Sequence, residues 1–290
     1  MPEDKEDIMR IANINNRLVL GTDSGYVDVE DASGGAFGSD PQAVYAQWGE
    51  FSEWASSFDP AGAPAVDAGE DAVWGSPAPQ PGQVFAIGLN YSEHAKESGM
   101  DLPPSPTVFT KFPSSVTGHN RGVVHPGGSI DWEVELVVVI GKQADFVKEA
   151  EAWDHIAGVA IGQDLSEREL QLSGGVPQFS LGKSYRGFAP IGPELVTLDA
   201  LPSPLDLEIG CRLETGEVLQ QSRTSNLIFD IPFLVAHLSS VCSLRPGDVI
   251  FTGTPPGVGA ARTPKRFLEV GEVLVSWVEG IGELRTPIVR

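Results

Sequence analysis

Glu133 and Glu135 stand one residue apart in Asp131-Trp132-Glu133-Val134-Glu135-Leu136-Val137-Val138-Val139-Ile140. On an extended strand alternate side chains share a face, so the two carboxylates point the same way. Trp132, Val134, Leu136, Val138 and Ile140 make the opposite face wholly apolar, and Val137 and Val139 continue the acidic face as a core surface. Two carboxylates at the mouth of such a strand repel, and one tends to hold a proton. A hard cation resolves the conflict, because Mg²⁺, Mn²⁺ and Ca²⁺ take carboxylate oxygens as ligands. An edge strand with a solvated acidic face is the plainer alternative for Glu-x-Glu taken alone.

Other residues extend the acidic pair. Asp164 ends the apolar run 156–163 and precedes a short helical stretch. Alone it reads as an N-cap, boxed with Glu167, and Ser166 with Glu169 offers the same box. Beside Glu133 and Glu135 it reads as a third oxygen ligand. His94 and Glu97 lie three apart on the helical stretch 91–98, hence on one face. A carboxylate that orients an imidazole and raises its basicity suits a base that activates water. An exposed helix with an incidental pair is the plain alternative. His-x-His and His-Glu-x-x-His are absent, which argues against an imidazole-rich zinc site.

Gly182-Lys183-Ser184 imitates a phosphate loop, but Pro177 occupies the position where that motif needs glycine. Lys183 could instead project a cation into a cleft, although most lysines are solvated. Thr252-Gly253-Thr254-Pro255-Pro256-Gly257 follows an apolar strand and lets backbone donors approach a ligand. No helix clearly follows it, so dinucleotide binding is not supported.

Positioning these groups requires mostly strands. Apolar runs predict strands near 17–20, 25–29, 84–89, 107–111, 133–140, 156–162, 187–191, 205–213, 249–252, 273–278 and 281–285. Helices are expected at 41–56, 91–98 (closed by Gly99), 167–172 and 231–241. The Pro-rich stretch 76–82 reads as a linker between a small N-terminal domain, 9–75, and a catalytic domain, 83–290. Residues 1–8 read as an extension with little structure. Strands do not alternate regularly with long helices, so a doubly wound nucleotide fold is disfavoured. A mixed α/β, β-rich fold is expected.

With 19 basic and 40 acidic residues the formal charge is −21. A nucleic acid would be repelled, and divalent cations would be drawn to acidic clefts. Cys211 and Cys242 form neither a metal spacing nor a disulfide framework, and both are expected as buried reduced thiols. The acidic N-terminus lacks the apolar stretch of a signal peptide and no run reaches membrane-spanning length. A cytoplasmic location with no membrane contact is expected.

In combination, these segments resemble the fumarylacetoacetate hydrolase family. The matching stretches are Gly88-Leu89-Asn90-Tyr91 with His94 and Glu97, Asp131 to Leu136, Gly162 to Arg168, Gly182-Lys183-Ser184, and Leu244 to Ile250 running into Thr252-Gly253-Thr254-Pro255. The resemblance covers roughly residues 84–290, in the family's order. It implies a mixed β-roll with a small N-terminal domain, and a homodimer. It places metal ligands at Glu133, Glu135 and Asp164 for Mg²⁺ or Mn²⁺, with Ca²⁺ as a crystal substitute. It places a lid dyad at His94 and Glu97, an active-site lysine at Lys183, and contacts to substrate oxygens at Arg168, Gln171 and Thr254. The implied activity is metal-dependent hydrolysis of a carbon–carbon bond in an acylpyruvate or related β-diketo acid. The alternative is a 2-oxo acid lyase (oxaloacetate decarboxylase, hydratase or isomerase) using the same enolate chemistry. Gln163 stands where Asn is frequent, Arg186 where many members carry Asp, and Gly88-Leu89-Asn90 where elaborate members supply a fourth carboxylate.

Overall fold

The computed structural model describes residues 9–97, 99, 101–203 and 205–290; the expected extension at 1–8 and the expected helix end at Ser98 lie outside them. Its centre is the strand Val134–Ile140, all seven residues of which are buried. Alternation assigns its side chains to two cores. Val134, Leu136, Val138 and Ile140 pack with Trp132 in one, and Val137 and Val139 in the other. A slip of one residue would exchange the faces and turn Glu135 into the apolar core around Trp132 and Leu136, away from its partners, so it is strongly disfavoured.

The strand lies between Ile156–Gln163 and Val249–Phe251, antiparallel to both. The large sheet runs from Ala65–Val66 through Gly25–Asp28, Arg17–Thr22, Arg10–Ile14, Ala189–Val196, Ile156–Gln163, Val134–Ile140, Val249–Phe251 and Val84–Gly88 to Thr107–Thr110. Most pairings are antiparallel, but Val249–Phe251 lies parallel to Val84–Gly88, so the sheet is mixed. A second sheet orders Val218–Arg223, Glu208–Leu213, Val273–Val278, Gly282–Val289 and Val123–Val124. It shares the first core with the helix Ile231–Ser239. The mixed, β-rich expectation holds.

Residues 9–75 join the rest through Arg10–Ile14, which pairs with Ala189–Val196. Ser76, Pro77 and Ala78 are buried, and Pro77 O accepts the Tyr45 hydroxyl at 3.1 Å. The helix expected at 41–56 divides into a 3₁₀ turn, Ala43–Gln47, and an α-helix, Trp48–Ser57. The break at Gln47 (φ −132°) lets Tyr45 stack on Trp48 while its hydroxyl reaches Pro77. The strand Val218–Arg223 was not anticipated, because Gln220, Gln221, Ser222 and Arg223 give it no apolar alternation and only Leu219 and Gln220 are buried. Cys211 is buried as expected, but Cys242 is only half-buried; both are free thiols. Among the described residues, no helix is long and apolar enough to cross a membrane.

Candidate active site

At the end of the central strand, ligand-competent oxygens of Glu133, Glu135 and Asp164 lie within 4.8 Å of one another, all three residues buried. Pairing explains the convergence, because Glu135 opposes Gly162 on the adjacent strand, two residues before Asp164. Asp164 N donates to Glu133 O at 2.8 Å, and Gln163 Oε1 accepts Glu133 N at 3.0 Å. Gln163 thus secures the strand end through its amide and passes the connection to Ser276. The cap that Asp164 would offer if taken alone is not made. Glu167 caps the helix Arg168–Gln171 by accepting from Glu169 N and Leu170 N, which leaves Asp164 free to face the acids.

Two buried lysines face the same carboxylates. Lys183 Nζ lies 2.7 Å from Glu133 Oε2 and 2.5 Å from Asp164 Oδ2. It follows a short helix, Phe179–Gly182, whose last residue packs so closely that a Cβ at Gly182 would fall 2.6 Å from Gln171 N. Lys111, which carried no signal in the sequence, has its Nζ 2.5 Å from Asp164 Oδ1 and also donates to Lys183 O. Arg168 binds Glu133 Oε1 at 2.8 Å and Gln171 Oε1 at 2.9 Å. Glu135 receives Gly253 N at 2.7 Å, in a turn that Gly253 makes at φ +107°, where a side chain would be strained.

These contacts separate the two glutamates. Burial favours the neutral form of Glu133, but Lys183, Arg168 and His94 outweigh it and hold its pKa down to about 2. Glu135 moves the other way: burial, then repulsion from Asp164 and Glu133, lifts its carboxyl well above the usual range. Burial likewise lowers Lys111, with Lys183 adding repulsion against the attraction of Asp164.

His94 is buried, and its Nδ1 lies 2.7 Å from Glu97 Oε1. Glu97 also accepts Gly257 N through both oxygens, at 3.1 and 2.9 Å, which docks the helix Ser92–Glu97 on the glycine-rich loop. Asn90 fixes the base of that helix, donating to Thr252 O at 2.7 Å and Phe229 O at 2.9 Å and accepting Phe229 N at 2.8 Å. His94, Glu97, Glu133, Arg168, Gln171, Lys183 and Thr254 all border one cavity of about 300 Å³. Ile87, Leu89, Phe109, Phe179 and Val258 supply much of its apolar wall. Thr254 lines it with its hydroxyl already donated to Val134 O at 2.9 Å. Arg186 is exposed and lies off the cavity wall.

The residues fit a hard divalent cation. The donor set is oxygen alone, which suits Mg²⁺ or Mn²⁺. One acid of the three, Glu135, is driven toward its neutral form by burial and by its two acidic neighbours, a conflict that a bound cation would relieve. The Tyr91 hydroxyl is buried with no hydrogen-bond partner among the described residues, and burial, with Glu135 adding repulsion, pushes its pKa up. An unpartnered hydroxyl beside such a cluster suits a hydrated ion.

Residues 83–289 match the family model of the fumarylacetoacetate hydrolase C-terminal domain. Among curated relatives, the mitochondrial oxaloacetate tautomerase FAHD2A of Bos taurus is 39% identical over 216 residues, covering 74% of this chain and 68% of that protein. Among solved structures, a protein assigned as HpcE from Mycobacterium smegmatis has a TM-score of 0.92 and 54% identity, covering 97% of this chain and 99% of the other. The maleylpyruvate hydrolase of Sphingobium sp. SYK-6, in complex with manganese(II) and pyruvate, has a TM-score of 0.78 at 27% identity, covering 97% and 99%. The motifs, the sheet that assembles them and these likenesses agree: the chain belongs to the fumarylacetoacetate hydrolase family.

Proposed function

We propose that this protein is a metal-dependent hydrolase that cleaves a carbon–carbon bond in an acylpyruvate or related β-diketo acid. The observation that carries the reading is the His94–Glu97 pair, 2.7 Å apart, bordering the same cavity as Lys183 and Glu133. Glu97 occupies Nδ1 of the imidazole and leaves Nε2 as the basic nitrogen for the cavity.

Glu133, Glu135 and Asp164 would hold Mg²⁺ or Mn²⁺, with Ca²⁺ as a substitute. When bound, the ion supplies Lewis acidity toward a 2-oxo acid. Glu97 orients His94, which removes a proton from water as the water oxygen attacks the acyl carbonyl. The carbon–carbon bond then breaks, giving a carboxylic acid and an enolate that takes up a proton. Lys183, charged at neutral pH because Asp164 and Glu133 outweigh its burial, stabilises the developing enolate oxygen. Arg168 and Gln171 offer donors to substrate oxygens, and Thr254, its hydroxyl held between Val134 O and Gln220 Nε2, would meet the substrate as part of the cavity wall.

A second reading, a 2-oxo acid lyase or isomerase without water attack, is favoured by the likeness to an oxaloacetate tautomerase. Turnover of acylpyruvates and of oxaloacetate, each with and without Mg²⁺ or Mn²⁺, separates the two. Loss of acylpyruvate cleavage with retained oxaloacetate turnover would favour the second.

A homodimer, a cytoplasmic location and a division into units 9–75 and 83–290 belong to the same proposal. The dimer is supported by the sheet edge at Thr107–Thr110, on and beside which Val108, Phe112 and Leu181 are exposed. Unpaired strand edges flanked by apolar side chains are natural association surfaces.

A further inference from the structure

Asp131 is fully buried, two residues before Glu133, and lies outside the acidic triad. Its carboxylate collects donors from three directions. Oδ2 lies 2.8 Å from both Arg168 Nε and Arg168 NH2, and accepts Ala260 N at 2.9 Å. Oδ1 accepts Gly259 N at 2.7 Å and Trp132 N at 2.9 Å. One anion therefore holds the rear of a cavity-lining arginine and the backbone of the loop opposite.

That loop carries much of the cavity. Val258, Ala260 and Ala261 form wall, and Gly257 presents the amide that donates to Glu97. Trp132 adds to the attachment, its Nε1 donating to Gly257 O at 3.1 Å while Arg262 lies over its ring at 5.2 Å. No room exists for slack, since a Cβ at Gly259 would fall 2.8 Å from Asp131 Oδ1 and closer still to Arg266 O. Arg168 in turn divides its guanidinium between Asp131 and Glu133. Without Asp131 the guanidinium would lose the two contacts that fix its rear.

We propose that Asp131 is a positioning residue for substrate binding: it sets the orientation of Arg168 and, through the Gly259 and Ala260 amides, the seat on which Glu97 and His94 close. This rests on the reading that Arg168 receives the oxygens of a 2-oxo acid. An anion at this position ties the two sides of the cavity together while touching neither substrate nor ion.

The isosteric variant D131N removes the charge and turns an N–H group toward donors. Its Mn²⁺ affinity, its pyruvate affinity when Mn²⁺-loaded, and its backbone amide exchange when metal-free test the assignment. Expected are unchanged Mn²⁺ affinity and pyruvate binding weakened about tenfold or more, the scale of losing hydrogen bonds to a charged group. Exchange at Gly257, Gly259 and Ala260 should accelerate. The double variant D131N/R168Q should bind pyruvate no more weakly than R168Q alone, because the two residues act as one unit. Unchanged pyruvate affinity in D131N, or losses that add across the two sites, would overturn the proposal. If the parent protein binds no pyruvate, the reading of Arg168 fails instead, and exchange alone decides: no acceleration at Gly257 would remove Asp131 from the role. Should D131N not fold, D131E, which keeps the charge but displaces it by one methylene, is held to the same outcomes.

Discussion

Lys111 Nζ lies 2.5 Å from Asp164 Oδ1, and neither side chain is exposed to solvent. Lysine is seldom fully buried without a partner, and here the ammonium meets a carboxylate oxygen and the backbone carbonyl of Lys183. It thereby locks Asp164 and the segment carrying Lys183 as one body. Removing one member of a buried ion pair costs about 3–5 kcal/mol, so Lys111→Met should lose roughly that much stability in metal-free urea unfolding. A loss below about 1 kcal/mol, the range of exposed pairs, would show that Lys111 is not a structural anchor.

The two glutamates of the central strand should respond oppositely to amide substitution. Glu135 is driven toward its neutral form, which Glu135→Gln imitates, so the metal-free variant should be as stable as the parent or more so. Glu133 is ionised and paired with Lys183 and Arg168, so Glu133→Gln should destabilise by about 3 kcal/mol. Both should lose Mn²⁺ affinity by more than the roughly 10–100-fold typical of an outer partner. Equal stability effects in denaturant titrations would contradict the separation of their charge states.

Metal removal should make stability pH-dependent in a direction fixed by these shifts. For Glu135 the folded pKa is raised, so its contribution is present below the ordinary value of 4.5 and is lost as pH rises through the folded value. For Glu133 the folded pKa is lowered, so its contribution is present above 4.5 and is lost as pH falls toward about 2. With EDTA, unfolding midpoints should therefore fall more steeply as pH rises above 4.5 than in the Glu135→Gln variant, whose side chain has no such proton to lose. Saturating Mn²⁺ should flatten that decline, because metal binding displaces the same proton. Parallel EDTA and Mn²⁺ curves would argue against Glu135 as a ligand.

The acids were legible in the sequence because alternation in residues 131–140 is a local signal, and burial on both faces follows from the same pattern. Lys111 was not, since its partner lies 53 residues away and Thr-Lys-Phe-Pro carries no periodicity. Asp131 was hidden for the same reason, its loop donors being 128 and 129 residues distant. At Asp164 the local rule taken alone would mislead: the cap went to Glu167, whose two oxygens reach the Glu169 and Leu170 amides, while tertiary cations claimed Asp164, which the sequence had grouped with the two glutamates. Helix ends drifted where tertiary contacts overrode propensity, as at Gln47, where the Tyr45–Pro77 bond favours a 3₁₀ turn. Strand pairing brought together what short motifs could only nominate separately.

Hydrolysis and enolate chemistry without water attack make different demands on this cavity, and His94 distinguishes them. Acylpyruvate cleavage needs a base for water, and His94, oriented by Glu97, is the only imidazole bordering the cavity among the described residues. His94→Ala should lower that rate by about a hundred- to ten-thousand-fold, the usual cost of losing a general base. Decarboxylation or tautomerisation of oxaloacetate, which requires no attacking water, should be damaged less. Lys183→Ala should impair all of these reactions, since each develops enolate charge at the same oxygen. Measured as kcat/KM for both substrates, the His94 variant should shift the ratio toward oxaloacetate and the Lys183 variant should leave it nearly constant. An unshifted ratio in His94→Ala, together with retained acylpyruvate cleavage, would assign water activation to some other group.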